Sequence, residues 1–257
     1  MASWSPQQYQ KFSDLRNLPC RDLASHIHVA EPRRVVDLGC GPGNLGGIAP
    51  DYWPNASLHG IDSSPAMIET ARRTHPEVDW RLGDVNQWAA GEERGDIVFS
   101  NSALQWVDDH ASLFPKLLSH AEPGGALAVQ MPGYRAPQYD LLREMAAAPG
   151  WRRWFPEGRV EEWHSHELDF YYNVLKPHAA HLDLWATEYW QVMPDIHGVL
   201  EFYKSTGLRP YLGPIEDAAE RQRFLDEYAR LVDHVFPHAA SGEVLFPLRR
   251  IFIVAYR

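Results

Sequence analysis

Between residues 33 and 131 short apolar runs alternate with stretches in which apolar residues recur every three or four positions. That rhythm predicts parallel strands joined by right-handed helical crossovers. The runs are Val35-Val36, Leu58 to Ile61, Val78 to Leu82, Asp96 to Ser100 and Ala126 to Met131, the last entered through a turn at Pro123-Gly124-Gly125. Upstream, a helix is expected from Ser5 to about His26, with Ser5 as N-cap, Pro6 at the first helical position and Gln8 completing a Ser-x-x-Gln capping box. Its spacing puts Tyr9, Phe12, Arg16 and Cys20 on one face.

Residues 134–180 break the rhythm. Pro137, Pro149, Pro156 and Pro177 interrupt helical patterns, yet Trp151, Trp154, Phe155, Trp163, Phe170, Tyr171 and Tyr172 are too aromatic for a disordered linker. An insertion folding over one end of the sheet is expected there. Alternation returns at Leu182 to Val192, a sixth strand, followed by helices over Ile196 to Thr206 and Asp217 to Val235 and a last apolar run, Ile251 to Ala255.

With 257 residues and 45% apolar content the chain can bury one sizeable core, so one domain (1–257) is expected. No apolar run approaches the length of a membrane span, and the start is polar and aromatic without a basic-then-apolar leader, so the expectation is a cytoplasmic protein with no membrane partner. Cys20 and Cys40 are expected to be free thiols. A formal net charge of -10 opposes attraction of nucleic acid, and no nucleic-acid partner is expected.

The chemistry is concentrated at the ends of the predicted strands. Val-Val-Asp-Leu-Gly-Cys-Gly-Pro-Gly-Asn, residues 35–44, ends a strand, turns on Gly39, Gly41 and Gly43, and should open a helix near Asn44. The Gly-x-Gly-x-Gly spacing is neither the dinucleotide fingerprint nor a P-loop, which disfavours pyrophosphate. Asp62, at the end of the second strand, can accept two hydrogen bonds from ribose hydroxyls. Together they point to a nucleoside. Gly83-Asp84-Val85 ends the third strand, where a carboxylate can accept an adenine amine, and Asn101, Ser102, Gln105 and Trp106 stand at the carboxyl end of the fourth. Asp37 either fixes the loop or meets a ligand amino group. His164, His166, His178 and His181 with Glu167 lack metal-ligand spacing, so no metal is expected, and neither Ser102 nor Cys40 has the neighbours of a catalytic nucleophile.

In order, these pieces resemble the class I S-adenosylmethionine-dependent methyltransferase pattern over residues 33–131. Further segments resemble trans-aconitate methyltransferases: Trp4 to Tyr9, Asp62 to Ile68, Asn101 to Val107, Leu127 to Pro132, Thr206 to Leu212 and Arg250 to Ala255. The resemblance implies an α/β, Rossmann-like fold: a mostly parallel seven-stranded sheet whose last strand runs antiparallel, helices on both faces, and an aromatic-rich helical insertion over the active site. It implies a cover helix in 1–30, a cofactor core in 33–131, and substrate-covering insertions in 134–180 and 193–242. The implied cofactor is S-adenosyl-L-methionine, held by Asp37, Gly39, Gly41, Gly43, Asp62, Ser63, Asp84, Val85, Asn101, Ser102 and Trp106. The implied substrate is a small tricarboxylic acid, most simply trans-aconitate, bound by Tyr9, Arg16, Gln105, Tyr134, Arg209, Tyr211 and Arg250. Trp106, Tyr134 and Tyr211 are open to either excluding water or filling the core. An ionised carboxylate needs no general base, so no catalytic acid or base is assigned. A monomer is expected. The alternatives are a same-fold methyltransferase for another small or carrier-bound acid or a carbon nucleophile, and a non-catalytic S-adenosylmethionine-binding protein.

Overall fold

The computed structural model describes residues 13–133, 137–156, 163–204 and 207–257, with side chains from residue 17 onward. Two compact units emerge: one of residues 4–134, 163–187 and 250–257, the other of residues 1–3, 135–162 and 188–249.

Among the described residues there are seven strands, β1 (Arg34–Leu38), β2 (Ser57–Asp62), β3 (Asp79–Leu82), β4 (Gly95–Asn101), β5 (Ala121–Pro132), β6 (His181–Met193) and β7 (Val244–Tyr256). They form one sheet in the order β3-β2-β1-β4-β5-β7-β6. The five strands β1 to β5 pair in parallel, and β7 runs antiparallel to β5, as expected. Since β2 and β4 flank β1, the strand order reverses at β1, which opens a crevice at its carboxyl end.

Registered pairs point to the same face of a sheet. Asp37, Phe99 and Ala128 therefore share a face, and farther along so do Asn101, Gln130 and Phe252. On this side lies the helix α1 (Ser13–Ser25), which packs on β5 and buries Cys20, Leu23 and Ala24. The predicted capping box at Ser5 lies outside the described residues. On the opposite face Val36, Val98, Leu127, Val129 and Ile253 pack with Leu113, Phe114 and Leu117 of α2 (His110–Ser119) and with Tyr171 and Leu175 of α3 (Leu168–Leu175).

Three local expectations are corrected. No regular helix opens at Asn44: the chain makes a short 3-10 turn, Asn44–Gly47, then one helical turn, Ala49–Tyr52. A Cβ on Gly46 would meet the His75 ring at 2.8 Å, so this turn is tightly packed and held by glycine. Pro123-Gly124-Gly125 is not a turn preceding β5 but a bulge within it. Ala121 pairs with Gly95 and the register then jumps to Ala126 with Ile97, while Gly124 takes φ 81°. Finally, β7 is longer than its apolar stretch, because Val244, Phe246 and Leu248 are buried while Leu245, Pro247 and Arg249 are half-buried. Its first half is a one-faced strand and its second half is buried throughout.

The other unit is built on aromatics. Trp151 and Phe155 are buried against Phe224 of the helix Ala218–Asp233, at 5.0 and 5.9 Å between ring centroids. Gln138, also buried, donates to the Tyr203 hydroxyl (2.6 Å) and accepts at its carbonyl from the Tyr228 hydroxyl (3.0 Å).

Candidate active site

At the end of β1 the chain turns through three glycines in the left-handed region, with φ 73°, 56° and 88° at Gly39, Gly41 and Gly43. Each is glycine for its own reason. A Cβ on Gly39 would stand 2.2 Å from Cβ of Ala103, and one on Gly43 would press on Ala71 and Trp80 at 3.0 and 3.1 Å. A Cβ on Gly41 would meet nothing within 4 Å. Gly39 and Gly43 are thus packing glycines, and Gly41 faces the space a ligand can enter.

The loop is bound to β2. The N–H groups of Gly39 and Cys40 donate to the Ile61 carbonyl (2.8 and 3.0 Å), and that of Gly41 donates to Asp62 Oδ2 at 2.8 Å. Asp62 Oδ1 accepts from Ser64 N–H at 2.8 Å. A carboxylate has about four lone-pair sites, so acceptor capacity remains on both oxygens. Burial raises the Asp62 pKa, and the bonds from Ser64 and Gly41 pull against that rise. Asp37 is only 3% exposed. Among the described residues none hydrogen-bonds its side chain, and burial, then the charge of Asp62, raises its pKa to about 8. A buried carboxyl without a protein partner suits a cationic ligand group.

Ser63 is exposed beside Asp62. Asp84 caps the helix Val85–Ala90, its Oδ1 accepting from the N–H groups of Asn86 (2.8 Å) and Gln87 (3.2 Å). Beyond β4, Ser102 takes φ 57° and is tied twice to Gln130: its N–H donates to the carbonyl and its Oγ to Oε1, both at 2.9 Å. Gln105 Nε2 donates to the Ser102 carbonyl at 2.8 Å. Asn101 Oδ1, Gln105 Oε1 and Gln130 Nε2 are buried without a hydrogen-bond partner among the described residues. Trp106 is half-buried and meets Trp163 edge-on at 5.9 Å.

Two residues that the sequence reading passed over organise this turn. His110 is buried, with Nε2 2.9 Å from the Leu104 carbonyl and Nδ1 2.8 Å from the Tyr171 hydroxyl. A carbonyl only accepts, so Nε2 carries the proton and Nδ1 accepts from Tyr171, which in turn accepts from His166 N–H at 3.1 Å. Burial lowers the His110 pKa, and the neighbouring His166 and His164 lower it further. No local pattern announces this relay. Gln130 was detectable, as a polar residue in the apolar run Leu127 to Met131.

Tyr9 and Tyr134 lie outside the described residues, and Arg16 is described only as part of α1. Arg250 is 8% exposed and pairs with Pro132 at the carboxyl end of β5. In the other unit, Arg209 is half-buried, and the Tyr211 ring packs near Phe155 and Phe224, at 5.9 and 6.3 Å. Among the described residues no group of histidine, cysteine and carboxylate side chains is arranged to hold a metal ion, and no helix is long and apolar enough to cross a membrane. Cys20 and Cys40 are free and buried.

A parallel sheet with this order and an antiparallel β7, a glycine loop after β1 and an acid ending β2 define the Rossmann-like S-adenosylmethionine-dependent methyltransferases, and the chain is such an enzyme. A family model described as a methyltransferase domain matches residues 35–125. The chain is 40% identical over 262 aligned positions to the trans-aconitate 2-methyltransferase of Azoarcus sp. strain BH72, covering 100% of both, and it belongs to the trans-aconitate 2-methyltransferase family. The fold is similar to that of the YcgJ protein of Bacillus subtilis (TM-score 0.60, 14% identity, 94% of this chain and 98% of that one). It is also similar to phosphoethanolamine N-methyltransferase 2 of Haemonchus contortus, solved in complex with S-adenosyl-L-methionine (TM-score 0.54, 16% identity, 93% of this chain and 52% of that one).

Proposed function

We propose that the chain moves a methyl group from S-adenosylmethionine to a carboxylate oxygen of a small tricarboxylic acid, and that the acid is trans-aconitate. The observation that carries this reading is the full-length likeness to an enzyme bearing that name. The bound cofactor supplies a methyl group already activated on a sulfonium sulfur.

The chain's own residues are suited to holding and aligning the reactants. Asp62 keeps acceptor capacity for ribose hydroxyls, Asp37 offers a buried carboxyl to the amino group, and Gly41 lets the ligand pass close to the main chain. Asp84 Oδ1 serves the helix cap, leaving Oδ2 for an adenine amine. Ser63, Val85, Asn101, Ser102 and Trp106 complete the cofactor side of this reading.

A carboxylic acid is ionised at neutral pH, so the acceptor needs no proton removed and alignment is the main catalytic contribution. The turn after β4 fits that demand: it presents amides, a hydroxyl and an indole, and His110 beside it has both ring nitrogens engaged. Arg250 is the residue assigned to an acid carboxylate, since guanidinium can form two parallel hydrogen bonds with it. Mass spectrometry of products from trans-aconitate, cis-aconitate, isocitrate and citrate tests the proposal. A methyl ester formed preferentially from trans-aconitate supports it. Turnover of none of the four overturns it.

A further inference from the structure

The turn Leu104–Trp106 after β4 packs on β5 and meets two further segments of the sheet unit. At its start Ala103 lies against Gly39, so close that the loop residue has no room for a Cβ. The other segment is Trp163 to Glu167. His164 N–H donates to the Gln105 carbonyl at 2.8 Å, and Trp163 meets Trp106 edge-on. The segment is distant in sequence and has no ladder of its own to fix it.

Beside that direct contact, a second tie between turn and segment runs through the Tyr171 hydroxyl. It donates to His110, whose other nitrogen donates to the Leu104 carbonyl, and it accepts from His166 N–H. One oxygen thus links the main chain of the turn to the main chain of the segment. The ring of Tyr171 is fully buried against Phe114 (4.7 Å) and Phe170 (5.3 Å). Packing therefore holds the ring, and the hydroxyl is free to serve the link alone.

Resting on the carboxylate-methylation reading, we infer that Tyr171 is a positioning residue for methyl transfer: through His110 and His166 N–H it fixes the turn that carries Gln105 and Trp106 against the segment Trp163 to Glu167. The cofactor loop approaches Ala103 and is bound to β2 by its own hydrogen bonds. Ser102 is held separately by Gln130, so loss of the Tyr171 hydroxyl leaves most cofactor contacts in place, Trp106 excepted, and acts chiefly on Gln105 and the alignment of the acceptor, because displacements near 1 Å are enough to slow an oriented reaction.

The test is Tyr171→Phe, which keeps the ring and removes only the oxygen. Hydrogen-exchange mass spectrometry of the unliganded protein should show faster exchange in 104–107 and 163–167, with 34–44 unchanged. Affinity for S-adenosylhomocysteine, to which the turn contributes only Trp106, should fall much less than kcat/KM for the acid, which drops by about tenfold or more. His110→Asn gives up the donor to Leu104 and should reproduce both changes. Unchanged exchange in the two segments overturns the inference, as does unchanged kcat/KM in an enzyme that methylates the acid. A fall confined to thermal stability also overturns it. If the unmodified protein methylates none of the acids, the proposed function fails, and the exchange result together with cofactor affinity still decides the inference.

Discussion

Asp62 accepts the main-chain N–H of Gly41 at 2.8 Å, so the acid that ends β2 shapes the loop that follows β1. Its other oxygen holds Ser64 N–H. Asp62→Ala should weaken S-adenosylhomocysteine binding by about 1.5 to 3 kcal/mol, roughly 10- to 150-fold. Asp62→Asn should not rescue it, because the amide turns an NH2 toward one of the two N–H donors. Calorimetric titration checks both, and full affinity in the asparagine variant would remove the carboxylate from the site.

The glycines of the loop should separate by phenotype. Gly39→Ala combines a positive φ with a methyl 2.2 Å from Ala103, so it should cost about 2 to 5 kcal/mol of stability. Gly41→Ala bears only the backbone strain, about 1 to 2 kcal/mol, and places its methyl in open space. It should therefore remain folded and lose cofactor affinity. Thermal unfolding and titration of the two variants side by side give the answer. Equal losses of stability would contradict the assignment.

Asp37 makes the ligand-free protein less stable as pH rises. Its pKa is raised from 3.8 to about 8, so between those values the unfolded chain has ionised while the folded one still holds the proton, and stability falls across that window. Asp37→Asn should flatten this fall and raise the melting temperature at pH 8. In the unmodified protein, pairing with a ligand ammonium favours the carboxylate, so binding near pH 6.5 should release a proton. Titrations in buffers of different ionisation enthalpy measure that release; its absence would give Asp37 a purely structural role.

Arg250→Ala should lower kcat/KM for the acid by about 2 to 4 kcal/mol, on the order of a hundredfold, through loss of a charge-assisted pair. Lysine should not restore it, since an ammonium lacks the fork of two parallel donors. Steady-state kinetics with intact cofactor affinity as the control decides the matter. A folded variant with near-normal kinetics would leave Arg250 as a buried structural residue of β7.

Methylation of an ionised carboxylate predicts a flat single-turnover rate between about pH 6.5 and 9. Carbon or phenol acceptors lose a proton at or before transfer and give a rising limb. A rise through pH 7 that disappears with one histidine would overturn the base-free reading.

The glycine loop and the place of Asp62 at the end of β2 were legible because their signals are local. Val35 to Asn44 shows its strand and its glycines within ten residues, and Asp62 follows an apolar run by one position. Glycine in Gly-x-Gly-x-Gly does not say which member packs and which faces a ligand; that depends on Ala103, Ala71 and Trp80, brought in from other elements. The bulge in β5 was misread for a similar reason, since Pro123-Gly124-Gly125 has the composition of a turn and becomes a bulge only through pairing with Gly95 and Ile97. His110 and Tyr171 stand 61 positions apart, and neither has a neighbour in sequence that hints at the other.

Of all the strands, β7 comes last along the chain, yet it lies inside the sheet, between β5 and β6. During synthesis both neighbours must therefore wait, each with an unpaired row of main-chain donors and acceptors, until residues 244–256 have emerged and can be inserted between them. The β5–β7 ladder that carries Gln130 and Arg250 is completed at that moment, so the nascent chain sets the residue proposed for the acid only after the longest-range strand pairing among the described residues has formed.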